Sequence, residues 1–145
     1  MNATTKFDTE LLIDDGESLI LHEDVKPLVV ATGTTKVKKT ARSFRIWIEG
    51  NKLLEAGFSP DVQFSVRFQQ EKNNFDTHGR YYPARICLAL DSEGDRRVTK
   101  ASRNGKARPI IDLHQALIGE LFAEGTELEV SYIRTGFILI SKVQS

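Results

Sequence analysis

The chain has 145 residues, with twenty basic and twenty acidic side chains that cancel to a formal net charge of zero, and one cysteine. That length suits one compact unit burying roughly two thirds of the surface of its unfolded form, and a lone cysteine excludes an internal disulfide and a cysteine-rich zinc site. No stretch approaches a membrane-spanning apolar run and no basic-then-apolar leader opens the sequence, so the expectation is a cytoplasmic protein without span or signal peptide.

The zero total conceals a division. Residues 1–24 carry seven carboxylates against Lys6, a net of −6, and the remaining 121 residues carry +6. Such asymmetry points to a polyanionic partner for the body and a separate task for the acidic segment. Leu11-Leu12-Ile13 and Leu19-Ile20-Leu21 flank Asp14-Asp15-Gly16-Glu17-Ser18, which predicts a small hairpin around an Asp-Gly turn. Residues 1–35 therefore read as an acidic arm and linker, with Pro27 and Thr32-Gly33-Thr34-Thr35 as linker and Leu28-Val29-Val30 as a candidate extra strand.

A basic run follows: Lys36, Lys38, Lys39, Arg42 and Arg45. Phe44, Ile46 and Ile48 then alternate with polar or outward positions, the period of a half-buried strand. Asn51 is placed to cap a short helix over Lys52–Ala56, Gly57 to end it in the left-handed conformation, and Phe58 to close the turn onto the core. Phe64, Val66 and Phe68 alternate again, a polar insertion spans Gln69 to Pro83, and Ile86-Cys87-Leu88-Ala89-Leu90 reads as a strand covered on both faces.

Sixty-four residues on, the pattern recurs without a gap: Ile46 matches Ile110, Leu53 Leu117, Leu54 Ile118, Phe58 Phe122, Phe64 Leu128, Val66 Val130 and Phe68 Tyr132. A second basic run, Arg96, Arg97, Lys100, Arg103, Lys106 and Arg108, precedes this copy, and Asn104-Gly105 predicts a hairpin within residues 95–110. Asp112 and Gln115 suggest a variant capping box, with His114 in the second short helix, and Arg134-Thr135-Gly136 a tight turn into Phe137-Ile138-Leu139-Ile140. The expected class is mainly β with short helices: two tandem strand-helix-strand-strand repeats, about 36–95 and 96–142, within a domain spanning 36–145.

Strand, Leu53-Leu54-Glu55-Ala56-Gly57-Phe58, spacer and alternating strand resemble the swapped-hairpin domain of AbrB-like transition-state regulators and antitoxins, and Lys52–Phe68 is similar to the SymE-like toxin family. The resemblance covers residues 36–142. It implies a pseudo-twofold β-barrel made by two tandem halves, contacting nucleic acid through basic residues on loops and strand ends, to which Arg42, Arg45, Arg97, Lys100, Arg103 and Arg108 correspond. In the second copy Gly125 stands for Asp61 and Leu121 for Gly57, so the first copy's helix stop is missing there.

The functional expectation is a nonenzymatic DNA-binding protein, a transcriptional regulator or accessory factor of a bacterial or phage mobile element. Both basic runs would contact phosphates of duplex DNA, with Trp47, Tyr81 and Tyr82 as candidate stacking residues. One alternative is an inhibitor or adaptor that engages a protein through the acidic arm, residues 1–24. Another is a SymE-like RNA-cleaving toxin, for which His78 and Arg80 are the candidate pair. His22, His78 and His114 are too dispersed for a metal site, and no cofactor is expected.

Overall fold

The computed structural model describes residues 28–74, 80–103 and 105–143. The hairpin expected within the acidic arm, His78 and Asn104 lie outside these residues, as do the side chains of Asn73, Asn74, Arg80, Tyr81 and Arg103. The elements in order are β1 (Val29–Lys36), β2 (Lys38–Lys39), β3 (Phe44–Glu49), helix α1 (Asn51–Glu55), β4 (Gln63–Gln69), β5 (Lys72–Asn74), β6 (Arg80–Tyr82), β7 (Arg85–Leu90), β8 (Arg96–Arg97), β9 (Thr99–Arg103), β10 (Lys106–His114), helix α2 (Ala116–Leu121), β11 (Glu127–Ile133) and β12 (Phe137–Lys142). The fold is mainly β. Antiparallel pairing orders one six-stranded sheet as β1-β11-β12-β7-β4-β8 and one four-stranded sheet as β2-β3-β10-β9, with β5 and β6 as a separate ribbon. Among the described residues neither sheet closes into the barrel expected from the sequence resemblance.

Alternation in the sequence dictates which sheet faces meet. Ile46 and Ile48 of β3 lie opposite Leu113 and Ile111 of β10, all at most 4% exposed, and join Phe64, Ile86, Leu88, Leu128, Val130, Ile138 and Ile140 of the larger sheet in one core. The helices cover it with one fully buried residue each, Leu53 and Ile118. Phe58 and Phe64 pack edge to face, with ring centroids 5.8 Å apart, and each such buried side chain stabilises by roughly 1.5–3 kcal/mol. The central strands β7 and β12 carry apolar residues on their other face too, where Cys87, Phe137 and Leu139 form a second cluster with Ile133, as their continuous apolar runs predict.

Backbone bonds recur in matched pairs along the chain. Gly50 donates to Pro109 O (3.2 Å) and Gln115 to Phe44 O (3.0 Å), positions 65 apart. Past the helices a second pair of bonds has donors 64 apart and acceptors 61 apart: Asp61 donates to Val98 O and Gly125 to Val37 O, both 2.8 Å, and Asp61 and Gly125 both adopt positive φ, 74° and 83°. In burial Leu53 is like Ile118 and Ile46 like Ile111, whereas the ungapped match set them against Leu117 and Ile110, and Ile110 lies opposite Glu49 on the outer face. The extra residue of the first segment is Gly57 at φ 91°, the predicted left-handed helix stop, whereas α2 runs directly into extended Phe122.

Four local expectations are corrected. Gly50 at φ 115°, and not Asn51, occupies the N-cap of α1, and its side-chain-free geometry leaves no capping bond. Gln115 is the N-cap of α2, again without a side-chain bond, because Asp112 is drawn into the β10 ladder and to an arginine on β3. His114 is the exposed last residue of β10 and no part of the helix. Thr32–Thr35, expected as linker, pair with β11 from Thr32↔Ser131 to Thr35↔Leu128. Their polarity hides a strand that needs no large side chains, because Thr35 Oγ1 bonds Trp47 O (2.9 Å) and Lys52 Nζ reaches Thr32 O to tie β1 to β3 and α1.

Candidate nucleic-acid interface

The face of the four-stranded sheet turned away from the core is polar. On β3 it carries Arg45, Trp47 and Glu49, and on β10 Arg108, Ile110, Asp112 and His114. Directly paired residues share a face, so Lys38 joins through its partner Arg45, and the register places Arg103 of β9 beside Lys106. The two predicted basic runs thus lead into strands that form opposite edges of one sheet. Between them stand the two central strands, and three spacings of about 4.8 Å put the edges roughly 14 Å apart.

The centre of this face is neutralised. Arg45 donates through Nε and Nη2 to the two carboxylate oxygens of Asp112, both at 2.8 Å, a bidentate fork of the strong, directional kind. Its guanidinium also lies 4.8 Å from the centre of the Trp47 ring, a cation–π contact. Trp47 Nε1 donates to Glu49 Oε1 (2.7 Å), and Arg108 Nε stands 3.9 Å from Glu49 Oε2. The hydrogen bond from Arg45 holds the Asp112 carboxyl below its ordinary range against the opposing effect of desolvation, and the same bond raises Arg45. At one end of the face Thr40 Oγ1 lies 3.0 Å from His114 Nε2 and also accepts from Ser43 N (3.1 Å). That local turn sets Arg42 out into solvent.

The remaining sequence-predicted residues are distributed differently. Lys39 and Lys106 are exposed on the two hairpins. Lys36 ends β1 opposite Glu127, and Arg96 and Arg97 lie on β8 opposite Phe64 and Gln63, so these three occupy the two outer edges of the larger sheet. Arg97 donates to Asp61 O (3.2 Å), and Lys100 Nζ is 3.9 Å from Asp61 Oδ2. Tyr82 is 1% exposed and closed to a stacking base. Glu49, Asp112, Thr40 and His114 were not singled out for this face from sequence; for Glu49, Asp112 and His114 the outward phase on β3 and β10 was the available signal.

Beside this face, a cleft of about 600 Å³ is bounded by Gly33, Glu49, Lys52, Glu55, Arg108 and Tyr132. Burial pushes the Tyr132 phenol up to about 12. Among the described residues no three His, Cys, Asp or Glu side chains gather as metal ligands, and no helix is long and apolar enough to cross a membrane. Compared with protein families, curated proteins and solved structures, the chain matches none.

Proposed function

We propose that the outer face and edges of the four-stranded sheet bind the phosphate backbone of duplex DNA, and that the protein acts without catalysis, as a transcriptional regulator or accessory factor of a prokaryotic or phage mobile element. The observation that carries the reading is that part of each basic run, Lys38 and Lys39 on β2 and Lys100 and Arg103 on β9, lies at the two edges of one sheet. Their separation of roughly 14 Å is comparable with the about 12 Å width of a B-DNA major groove, so the edges suit the two backbones flanking it. We also read the chain as two AbrB-like units paired within one polypeptide. The 65-residue spacing of the bonds at Gly50 and Gln115 and the 64-residue spacing of the donors Asp61 and Gly125 support this, as does a strand order in which β7 and β12, and β3 and β10, are central partners.

The test is duplex retardation across a salt series. Neutralising about four phosphates gives a slope near −3.6 in log K against log salt, or about two decades of affinity between about 50 and 200 mM. Replacing Lys38, Lys39 and Lys106 by alanine should flatten the slope by about 0.9 for each phosphate no longer neutralised. Binding without salt dependence, or unaffected by the triple substitution, refutes the assignment.

A further inference from the structure

The outward face of the six-stranded sheet is apolar where its partner sheet's outward face is charged. By register Cys87 faces the same way as Leu139 and Arg67, Ala89 as Phe137, and Ile133 as Phe137 and Val29. Cys87, Ile133, Phe137 and Leu139 are each at most 5% exposed, yet the partly buried hydrophobic residues packed against this cluster are Leu28, Val29 and Ala89 alone among the described residues. A cavity of about 240 Å³ adjoins it, bounded in part by Arg67, Cys87, Leu90 and Phe137. On the same face at the end of β4, Gln69 is 9% exposed, and among the described residues neither atom of its amide finds a hydrogen-bond partner. Leaving such a group unpaired costs about 1–3 kcal/mol.

We propose that residues 11–21 of the same chain seat on this face, Leu11-Leu12-Ile13 and Leu19-Ile20-Leu21 covering the apolar cluster and the polar groups between and beside them reaching Gln69 and Arg67. Continuity favours this occupant: Leu28, the first described residue, already packs on the cluster. Reach allows it. The seven residues from Leu21 to Leu28 extend about 23 Å, beyond the roughly 14 Å between β1 and β7. Charge favours it too, because Arg67 lines the β4 side of the face and residues 1–24 carry a net −6. Tethering gives the segment an effective concentration in the millimolar range that a separate molecule lacks. The acidic segment then lies on the sheet away from the basic face and does not compete with DNA for it.

Cys87, the single cysteine, is the reporter. In the full-length protein the rate of its modification by a neutral disulfide reagent is compared with that of a full-length variant carrying Leu12→Asp and Ile20→Asp, with circular dichroism recording the fold. The expected result is acceleration of about tenfold or more, since the charges unseat the segment and open this face locally. Unchanged reactivity in a folded variant overturns the proposal, as does wild-type protection that is lost on dilution, which would identify a second copy as the cover. Independently of the variant's fold, Leu12→Cys and Ile20→Cys, each oxidised with diamide, should give an intrachain disulfide to Cys87 in at least one case. Failure of both overturns it.

Discussion

Replacing Asp112 by asparagine tests whether the neutralised centre limits DNA binding. The substitution keeps the side chain's shape but removes the charge that engages the Arg45 fork through two bonds of 2.8 Å. Two effects then add. A unit negative charge about 7 Å from a phosphate costs roughly 0.6 kcal/mol at the dielectric of water, near a threefold change in affinity. Arg45 also becomes a donor for phosphate while Trp47 still supports its guanidinium plane, and one more neutralised phosphate steepens the salt slope by about 0.9. Asp112→Asn is therefore expected to bind duplex about three- to tenfold more tightly near 50 mM salt, with the advantage shrinking as salt rises. The assay is fluorescence anisotropy of a labelled duplex across a salt series, with Arg45→Gln and the double variant completing a cycle. Affinity that is unchanged or weaker in folded Asp112→Asn, with an unaltered slope, would refute the placement of DNA over Arg45.

The same pair makes stability depend on acid. The folded protein holds Asp112 deprotonated below the ordinary carboxylate range, so its contribution is complete at neutral pH and is lost as pH falls through the folded value; denaturant midpoints of Asp112→Asn should fall less steeply on acidification than those of the wild type. Tyr132 works in the opposite sense. Its phenol is pushed up to about 12 by burial, so folding favours the protonated form and its share of stability fades as pH climbs from the ordinary tyrosine value, and Tyr132→Phe should remove a step above the ordinary tyrosine range from a phenolate absorbance titration. Gly119→Ala reverses the usual sign of a helix substitution. The exchange ordinarily gains about 1 kcal/mol, but a Cβ at Gly119 would stand 2.2 Å from Phe44 Cε1, and overpacking of this kind costs about 1–3 kcal/mol, readable as a lower urea midpoint.

The strands of the core were legible because their burial is one-sided. Ile46 and Ile48, Phe64, Leu128 and Val130 reach the core by a period of two that any local window reveals, and Gly57 and Gly136 announced their left-handed turns. What stayed hidden depended on partners far along the chain. The alternation of β10 admits either phase near Ile110-Ile111, and only pairing with β3 shows that Ile111 turns inward opposite Ile48. Polar Thr32–Thr35 gave no apolar period, since β1 is fixed to its neighbours by backbone ladder bonds, Thr35 and Lys52. The basic runs were visible as composition, but their neutralising carboxylate was not, because Arg45 and Asp112 are 67 residues apart and meet through the β3–β10 register.

That register has a consequence for how the proposed interface would discriminate. With Arg45 bound to Asp112, and Glu49 holding Trp47 and standing near Arg108, the middle of the sheet offers mostly satisfied groups. Among the described residues, the positive charge of this sheet that has no ion pair lies on the edge hairpins, at the exposed Lys38, Lys39, Arg42 and Lys106. Contacts from such edges position a backbone but read no base. Selectivity must then come from DNA shape, or from an exchange in which a base edge or phosphate displaces the carboxylate of Asp112 from the Arg45 fork. A site that pays for breaking this internal pair binds cognate and random duplexes alike through its edges and separates them at its centre. Asp112→Asn, by removing the internal competitor, should therefore raise affinity for random sequence at least as much as for a selected one.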